Sequence, residues 1–239
     1  MILIFKKRNA FLIATIFFLA VYIAGACINS FAFSKRVSLS CYGKKIVLDA
    51  GHGEPDGGAV GKTGVKEQEI NLKIAKILQG FLEQCGMEVV MTRTDESGIY
   101  DSDGTIRQKK RSDMTNREKL MNNSGADIFL SIHMNKFTDS KYSGPQVFYS
   151  SNKEESKELA QILQEELIAV LNPESQREIK KATSDIYLLK KAKLPAALVE
   201  CGFLSNAKEE EKLKNEEYQK EIAWAIYCSI IKYFSLNAS

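Results

Sequence analysis

Apolar and polar positions along the chain fall into blocks of two kinds. Short apolar runs, Ile46-Val47-Leu48, Asp127 to Ile132 and Ala196 to Val199, are rich in β-branched residues and read as buried strands. Longer stretches between them place apolar residues at helical spacing. From Glu67 to Gln84, Ile70, Ile74, Ile77, Leu78 and Phe81 share one side while Lys73, Lys76, Gln79 and Glu83 share the other, and Gly86 is a suitable stop. Met87 to Thr92 and Gln146 to Ser150 read as further strands, and a short helix is expected from about Asn116 to Asn123. Ser151 or Asn152 is placed to cap a helix running to Leu171. Ile186 to Leu189 reads as a short strand, and a last helix from Tyr218 to about Phe234 carries Ile222, Ala225, Ile226, Ile230 and Tyr233 on one side. The alternation predicts an α/β fold, a three-layer sandwich with a mostly parallel central sheet flanked by helices. Arg93 to Arg117 shows neither period and reads as a long solvated loop of mixed charge, of a length that is more often functional than neutral and is placed to flank a groove.

The N-terminus breaks this pattern. Lys6, Lys7 and Arg8 precede a run from Asn9 through Ser34 without a charge, and its core from Phe11 to Ile28 approaches the length of a membrane span, about 20 residues. The basic flank would hold the N-terminus inside and put the remainder outside. Ala24-Gly25-Ala26 and Ser30-Phe31-Ala32 both offer small residues for cleavage, so an export signal and a retained anchor are both open. The expected organisation is therefore residues 1–34 as signal peptide or membrane anchor, 35–44 as linker and 45–236 as one catalytic domain, which the length of 239 residues accommodates.

Composition narrows the classes further. A net charge of +3 is too mild to argue for a nucleic-acid partner, and no basic stripe interleaved with aromatics is present. No internal repeat suggests a solenoid or a tandem wall-binding array. Five cysteines occur without a CxxC pair, so neither a zinc ribbon nor a thioredoxin-type site is indicated. Small buried hydrophobes are the expected role, with a Cys85–Cys228 pairing left open.

The chemistry gathers at the strand ends. The first strand stops at Gly51-His52-Gly53, the third ends at His133, and the run from Ala196 ends at Glu200, so both histidines of the chain sit at such ends. The carboxyl ends of parallel strands converge on one crevice, which brings distant residues together. The glycine-rich loop from Gly53 to Gly64 lacks the spacing of a phosphate loop and is expected to line that crevice. Glu67 and Glu69 open the following helix. Acids there ordinarily complement the helix dipole, but here one of them faces the mouth that His52 occupies. Catalytic zinc takes three His or carboxylate ligands and leaves a position for water, so His52, His133 and one of the two acids make a possible set. Zinc lowers the pKa of its water to about 7, and Glu200 would serve as the base that passes the proton to a departing amine. Cys201 points to the opposite sheet face and is excluded as a ligand. Taken singly, each residue has a plainer reading, a hydrogen-bonded histidine or a surface acid. Their joint placement favours the metal.

Four segments carry a family resemblance. Leu48-Asp49-Ala50-Gly51-His52-Gly53, Gly64-Val65-Lys66-Glu67-Gln68-Glu69-Ile70-Asn71-Leu72, Ser131-Ile132-His133-Met134-Asn135 and Val199-Glu200-Cys201-Gly202-Phe203-Leu204-Ser205-Asn206 resemble, in order, the signature blocks of zinc-dependent N-acetylmuramoyl-L-alanine amidases of the type 3 class. The resemblance implies that His52, Glu67 and His133 bind Zn2+ and that Glu200 is the catalytic glutamate. It favours Glu67 over Glu69 and implies cleavage of the amide between N-acetylmuramic acid and L-alanine in peptidoglycan. Met134 and Gln68 depart from the usual pattern without touching a proposed ligand. The segment from Ile99 to Arg111, the single catalytic domain and the N-terminal run look like the germination-specific amidases of endospore formers. Those act on spore cortex and work with a separate peptidoglycan deacetylase. Two other readings compete: a metal-independent glycan-cleaving enzyme using Glu67 and Glu200 as a carboxylate pair, and an inactive wall-binding protein.

Overall fold

The structure, a computed structural model, describes residues 12–13, 15–23, 25, 40–101 and 103–238. The chain divides into two units, Met1–Ser40 and Cys41–Ser239. In the first, the described residues between 12 and 25 are helical, with Leu12, Phe17 and Phe18 exposed. No helix among the described residues is long and apolar enough to cross a membrane. The signal or anchor expected over 1–34, with its basic flank and cleavage sites, lies largely outside the described residues, as do 35–39 of the expected linker.

The second unit is built on a six-stranded sheet of order β2-β1-β3-β6-β4-β5. Its strands are β1 (Lys45–Ala50), β2 (Glu88–Met91), β3 (Ile128–Asn135), β4 (Gln146–Tyr149), β5 (Lys180–Lys181) and β6 (Ala196–Phe203). β2, β1, β3 and β6 run parallel, β4 is antiparallel to β6, and β5 is parallel to β4. The helices are α1 (Glu67–Gln84), α2 (Ile106–Asn123), α3 (Glu155–Leu171), α4 (Tyr187–Lys191), α5 (Ala207–Lys214) and α6 (Glu216–Leu236). α6 packs against α1 and α3 over one face of the sheet, while α2 and α4 pack together over the other. Strand side chains alternate between these layers. Val47, Phe129 and Leu198 meet Met121 of α2 and Leu188 and Leu189 of α4 in one core cluster, whereas Ile46, Leu48, Leu130 and Val199 are buried on the opposite side.

Several elements depart from the expectation. α2 runs eighteen residues from Ile106, not a short turn from Asn116, and begins with a capping box in which Thr105 and Gln108 satisfy each other's backbone N–H. Its sequence is so polar that no apolar stripe announces it, because its buried positions are only Met121 and a charged residue, Arg117. The expected strand Ile186–Leu189 is the helix α4. The backbone of α3 starts at Glu155 without a side-chain cap, since the Asn152 amide is bound to the carbonyls of Lys190 and Ala192. The expected late helix is present as α6, capped by Asn215, and an unexpected short helix, α5, capped by Asn206, precedes it. Cys85 and Cys228 are not bonded to each other.

The topology positions the site. From β1 the chain crosses through α1 to β2 on one side, then returns through α2 to β3 on the other side of β1. The strand order reverses at β1 and β3, and ligands bind outside the carboxyl ends of strands at such a switch point.

Candidate active site

β1 delivers its chain to the switch point as Ala50-Gly51-His52, and His52 adopts a left-handed backbone with φ 62°. A non-glycine residue holds that conformation only under constraint from its surroundings. Two buried arginines supply the constraint. Arg93 donates from Nε to the Ala50 carbonyl (2.8 Å) and from Nη2 to the carbonyls of Gly51 (3.0 Å) and Gln68 (2.8 Å). Arg117 donates from Nη1 to the Ala50 carbonyl (3.0 Å) and from Nη2 to the His52 carbonyl. Three successive carbonyls are thereby fixed by two guanidiniums. Asp49 neutralises the nearer one at 2.5 Å and also accepts from Ser131 and from Thr92 Oγ1 at 2.8 Å.

Glu67 is the first residue of α1, and its carboxylate lies between the two imidazoles. Its Oε1 is 3.3 Å from His52 Nε2 and 2.9 Å from His133 Nδ1, and it accepts from the backbone N–H of Met134 at 3.0 Å. Oε2 accepts from the Ala59 N–H at 2.8 Å. Burial works against the charged carboxylate, yet the two histidines hold it well below the usual carboxylate range. Burial likewise opposes charge on His52, but hydrogen bonds to Asp56 and Glu67 push its pKa up to about 10. The donor atoms of His52, Glu67 and His133 all lie within 4.8 Å of one another. Glu69, the other acid at the helix start, is not among the groups that converge there.

Glycines make the close approach possible. A Cβ on Gly51 would stand 2.3 Å from Cε1 and Nε2 of His133, and one on Gly58 would stand 2.6 Å from Glu67 Oε2 and 2.7 Å from the His52 ring. Neither position has room for a methyl group.

Glu200 is the register partner of His133 across the parallel β3–β6 pair. Its Oε2 is buried and has no hydrogen-bond partner among the described residues. Burial raises its pKa to about 7, with His133 opposing and Glu67 adding to the rise. The side chain therefore stands poised between acid and base near neutral pH. Cys201, next along β6, is fully buried on the other face.

His52, His133 and Glu200 line a cavity of about 350 Å³ together with Tyr100, Lys109, Met114, Ile186 and Tyr187. Within the stretch Arg93 to Arg117, Tyr100 lines this cavity from irregular backbone, and Lys109, Asp113 and Met114 line it from α2, which begins at Ile106. Arg93, Arg117, Asp49 and Asn71 escaped the sequence reading as site residues. Asn71 donates to the Gly51 carbonyl (3.1 Å) and to Glu67 Oε1 (3.3 Å). A signal existed in Asp49, an acid at the end of an otherwise apolar strand whose charge needs a buried partner.

Two imidazoles and one carboxylate converging at a cavity are donors of the kind that could hold a metal ion, and they match the set that catalytic zinc takes. The glycoside-hydrolase reading asks one carboxyl group to act as a proton donor. Glu200 could take that part, but the ionised partner acting as base or nucleophile would be Glu67, whose two oxygens are engaged by His52, His133 and the backbone N–H groups of Met134 and Ala59.

Comparison with known proteins follows the same line. The family model described as N-acetylmuramoyl-L-alanine amidase matches residues 46–232. The germination-specific N-acetylmuramoyl-L-alanine amidase of Bacillus subtilis is 38% identical over 203 residues, covering 84% of each chain. The CwlD amidase of Clostridioides difficile, solved in complex with the GerS lipoprotein, superimposes with a TM-score of 0.78 at 47% identity, over 81% of this chain and 99% of that one. An N-acetylmuramoyl-L-alanine amidase from Clostridium difficile 630 gives a TM-score of 0.70 at 32% identity, over 82% of this chain and 98% of that one. The chain belongs to the type 3 N-acetylmuramoyl-L-alanine amidase family and is an enzyme of that class, a hydrolase acting on an amide of peptidoglycan.

Proposed function

We propose that His52, Glu67 and His133 hold one zinc ion and that Glu200 is the catalytic acid–base. The scissile bond is the amide between N-acetylmuramic acid and the L-alanine of the stem peptide. The observation that carries this reading is the convergence of three donor atoms within 4.8 Å beside a buried carboxylate oxygen that has no hydrogen-bond partner among the described residues. Zinc, when bound, supplies a Lewis acid and lowers the pKa of a water molecule to about 7. Glu67 and the two histidines provide the grip, and Gly51 and Gly58 let them close on it. Glu200 takes the proton of the attacking water and returns it to the amine that departs on L-alanine. Such help is typically worth about 10²–10⁴ in rate.

The biological setting we propose is the spore cortex during germination, in support of which stands the likeness to the germination-specific relative. Residues 1–34 would export the chain, as cleaved signal or retained anchor, and leave residues 45–236 to act outside the cytoplasmic membrane in the wall or cortex. The functional link to a peptidoglycan deacetylase rests on the family resemblance; the solved CwlD relative is paired with a lipoprotein, which makes a lipoprotein a second partner to seek.

Mass spectrometry of peptidoglycan digested by the protein tests the reading, with the same digestion repeated after chelation. Stem peptides with a free L-alanine amine, lost on chelation and recovered with zinc, are expected. Products cut between sugars, or cleavage that survives in metal-free protein, would overturn it. An absence of any product would favour the wall-binding alternative.

A further inference from the structure

We propose that Asp56, secured by Lys110 of α2, is the positioning residue that aims the His52 ring at the metal. The inference rests on the zinc reading above and extends it to groups outside the ligand set.

His52 offers its two ring nitrogens to two carboxylates. Nε2 faces Glu67, whereas Nδ1 faces Asp56 Oδ2 at 3.2 Å. An imidazole that ligates through one nitrogen is oriented by the hydrogen bond that the other makes, and a carboxylate in that place fixes the tautomer and increases ligand basicity. Asp56 is itself immobilised. Its Oδ1 accepts from Lys110 Nζ at 2.9 Å and from the Gly58 N–H at 3.3 Å, and its backbone pairs with Gly53 in both directions (2.9 and 3.0 Å). The loop after β1 therefore folds back on His52. Asp56 holds one edge of the ring, and Gly58 lies against its face so closely that a Cβ would clash.

The same helix grips His52 twice. Arg117 of α2 holds the His52 carbonyl, and Lys110, two turns earlier, holds the carboxylate that holds the ring. The polar segment that leads into and forms α2 is thus coupled to metal affinity through Lys110 and Asp56, besides walling the cavity.

Zinc titration of the full chain by competition with a chromophoric chelator tests this, using wild type, Asp56→Asn, Lys110→Met and the double variant. Removing such an outer carboxylate typically costs about 10–100-fold in metal affinity, and a rise of that size in the zinc Kd is expected for Asp56→Asn, with the metal-free fold retained by circular dichroism. Lys110→Met should raise Kd by a smaller factor, and the double variant should bind no more weakly than Asp56→Asn, because the lysine acts through the aspartate. An Asp56→Asn chain with wild-type Kd, or losses that multiply in the double variant, overturns the proposal. If Asp56→Asn does not fold, Lys110→Met decides: a raised Kd supports the proposal and an unchanged one overturns it. A wild-type chain that binds no zinc sinks the metal reading and this inference together, which separates that failure from one confined to Asp56.

Discussion

His133 and Glu200 are register partners on adjacent parallel strands, so their side chains emerge side by side on the same face of the sheet. That pairing matters to the proposed chemistry, because it sets a carboxylate oxygen that has no hydrogen-bond partner among the described residues next to one of three side chains that could hold a metal. Glu67 reaches the same point from the first residue of a helix on the other side of the switch point, and it spends both oxygens holding the site together. Of the two acids, only Glu200 is left for proton transfer.

Replacing Glu200 by Gln keeps the shape and removes the proton acceptor. Zinc content should be unchanged while amide cleavage falls by about 10²–10⁴. Metal analysis and product release on the same preparation check both halves. An active variant would make Glu200 a bystander.

The Gly51→Ala variant tests the packing beneath the ligands. The added methyl would sit 2.3 Å from the His133 ring, so the ring must swing away or the strand end must shift. We expect zinc binding and cleavage to be lost together, with a stability cost of about 1–3 kcal/mol from overpacking. Zinc titration and thermal melting report the two effects separately. Retention of wild-type zinc affinity would show that the ring is held less tightly than the structure indicates.

Much of this arrangement was legible in the residues. The three apolar runs ending in His52, His133 and Glu200 are β1, β3 and β6, and the boundaries of α1 matched because its apolar side and Gly86 are unambiguous. What escaped notice was carried by charge. α2 buries Arg117 instead of an apolar stripe, so periodicity had nothing to detect, and Arg93 looks like any solvated residue after a strand. Both are buried because they satisfy backbone carbonyls at a distorted strand end, a need that exists only once the fold brings β1, β2 and α2 together. Leu188 and Leu189 pack equally well from a strand or a short helix, and four residues could not distinguish the two.

The buried pair of Asp49 and Arg117 should govern stability in acid. Burial works against the Asp49 charge, but Arg117, then His133, Ser131 and Thr92, hold its pKa below the ordinary 3.8. A depressed carboxylate contributes stability that is complete above its unfolded pKa and is lost as pH falls through the folded one. Melting of the wild type should therefore lose this contribution only below about pH 4. Asp49→Asn should be less stable at neutral pH and flatter in acid. Arg117→Met leaves Asp49 buried without its partner and should cost about 3–5 kcal/mol. Melting curves across pH check the sign; an Asp49→Asn variant as stable as wild type at pH 7 would contradict it.

Zinc must compete with a proton on His52. Burial works against charge on that imidazole, but Asp56 and Glu67 push its pKa up to about 10, so it should carry a proton at neutral pH until a metal displaces it. Binding should release about one proton from it, so zinc affinity should rise by up to about tenfold per pH unit through the neutral range. Calorimetry in buffers of different ionisation enthalpy measures the release. Binding with no proton released would contradict the His52 assignment.

If three side chains grip one metal, diffraction at the zinc absorption edge will show it. Crystals of the zinc-loaded protein should show one anomalous peak, at about 2.0–2.2 Å from a nitrogen of His52, a nitrogen of His133 and a carboxylate oxygen of Glu67. The peak should be missing in His133→Ala. A peak elsewhere, or one that persists at this site without His133, would contradict the account.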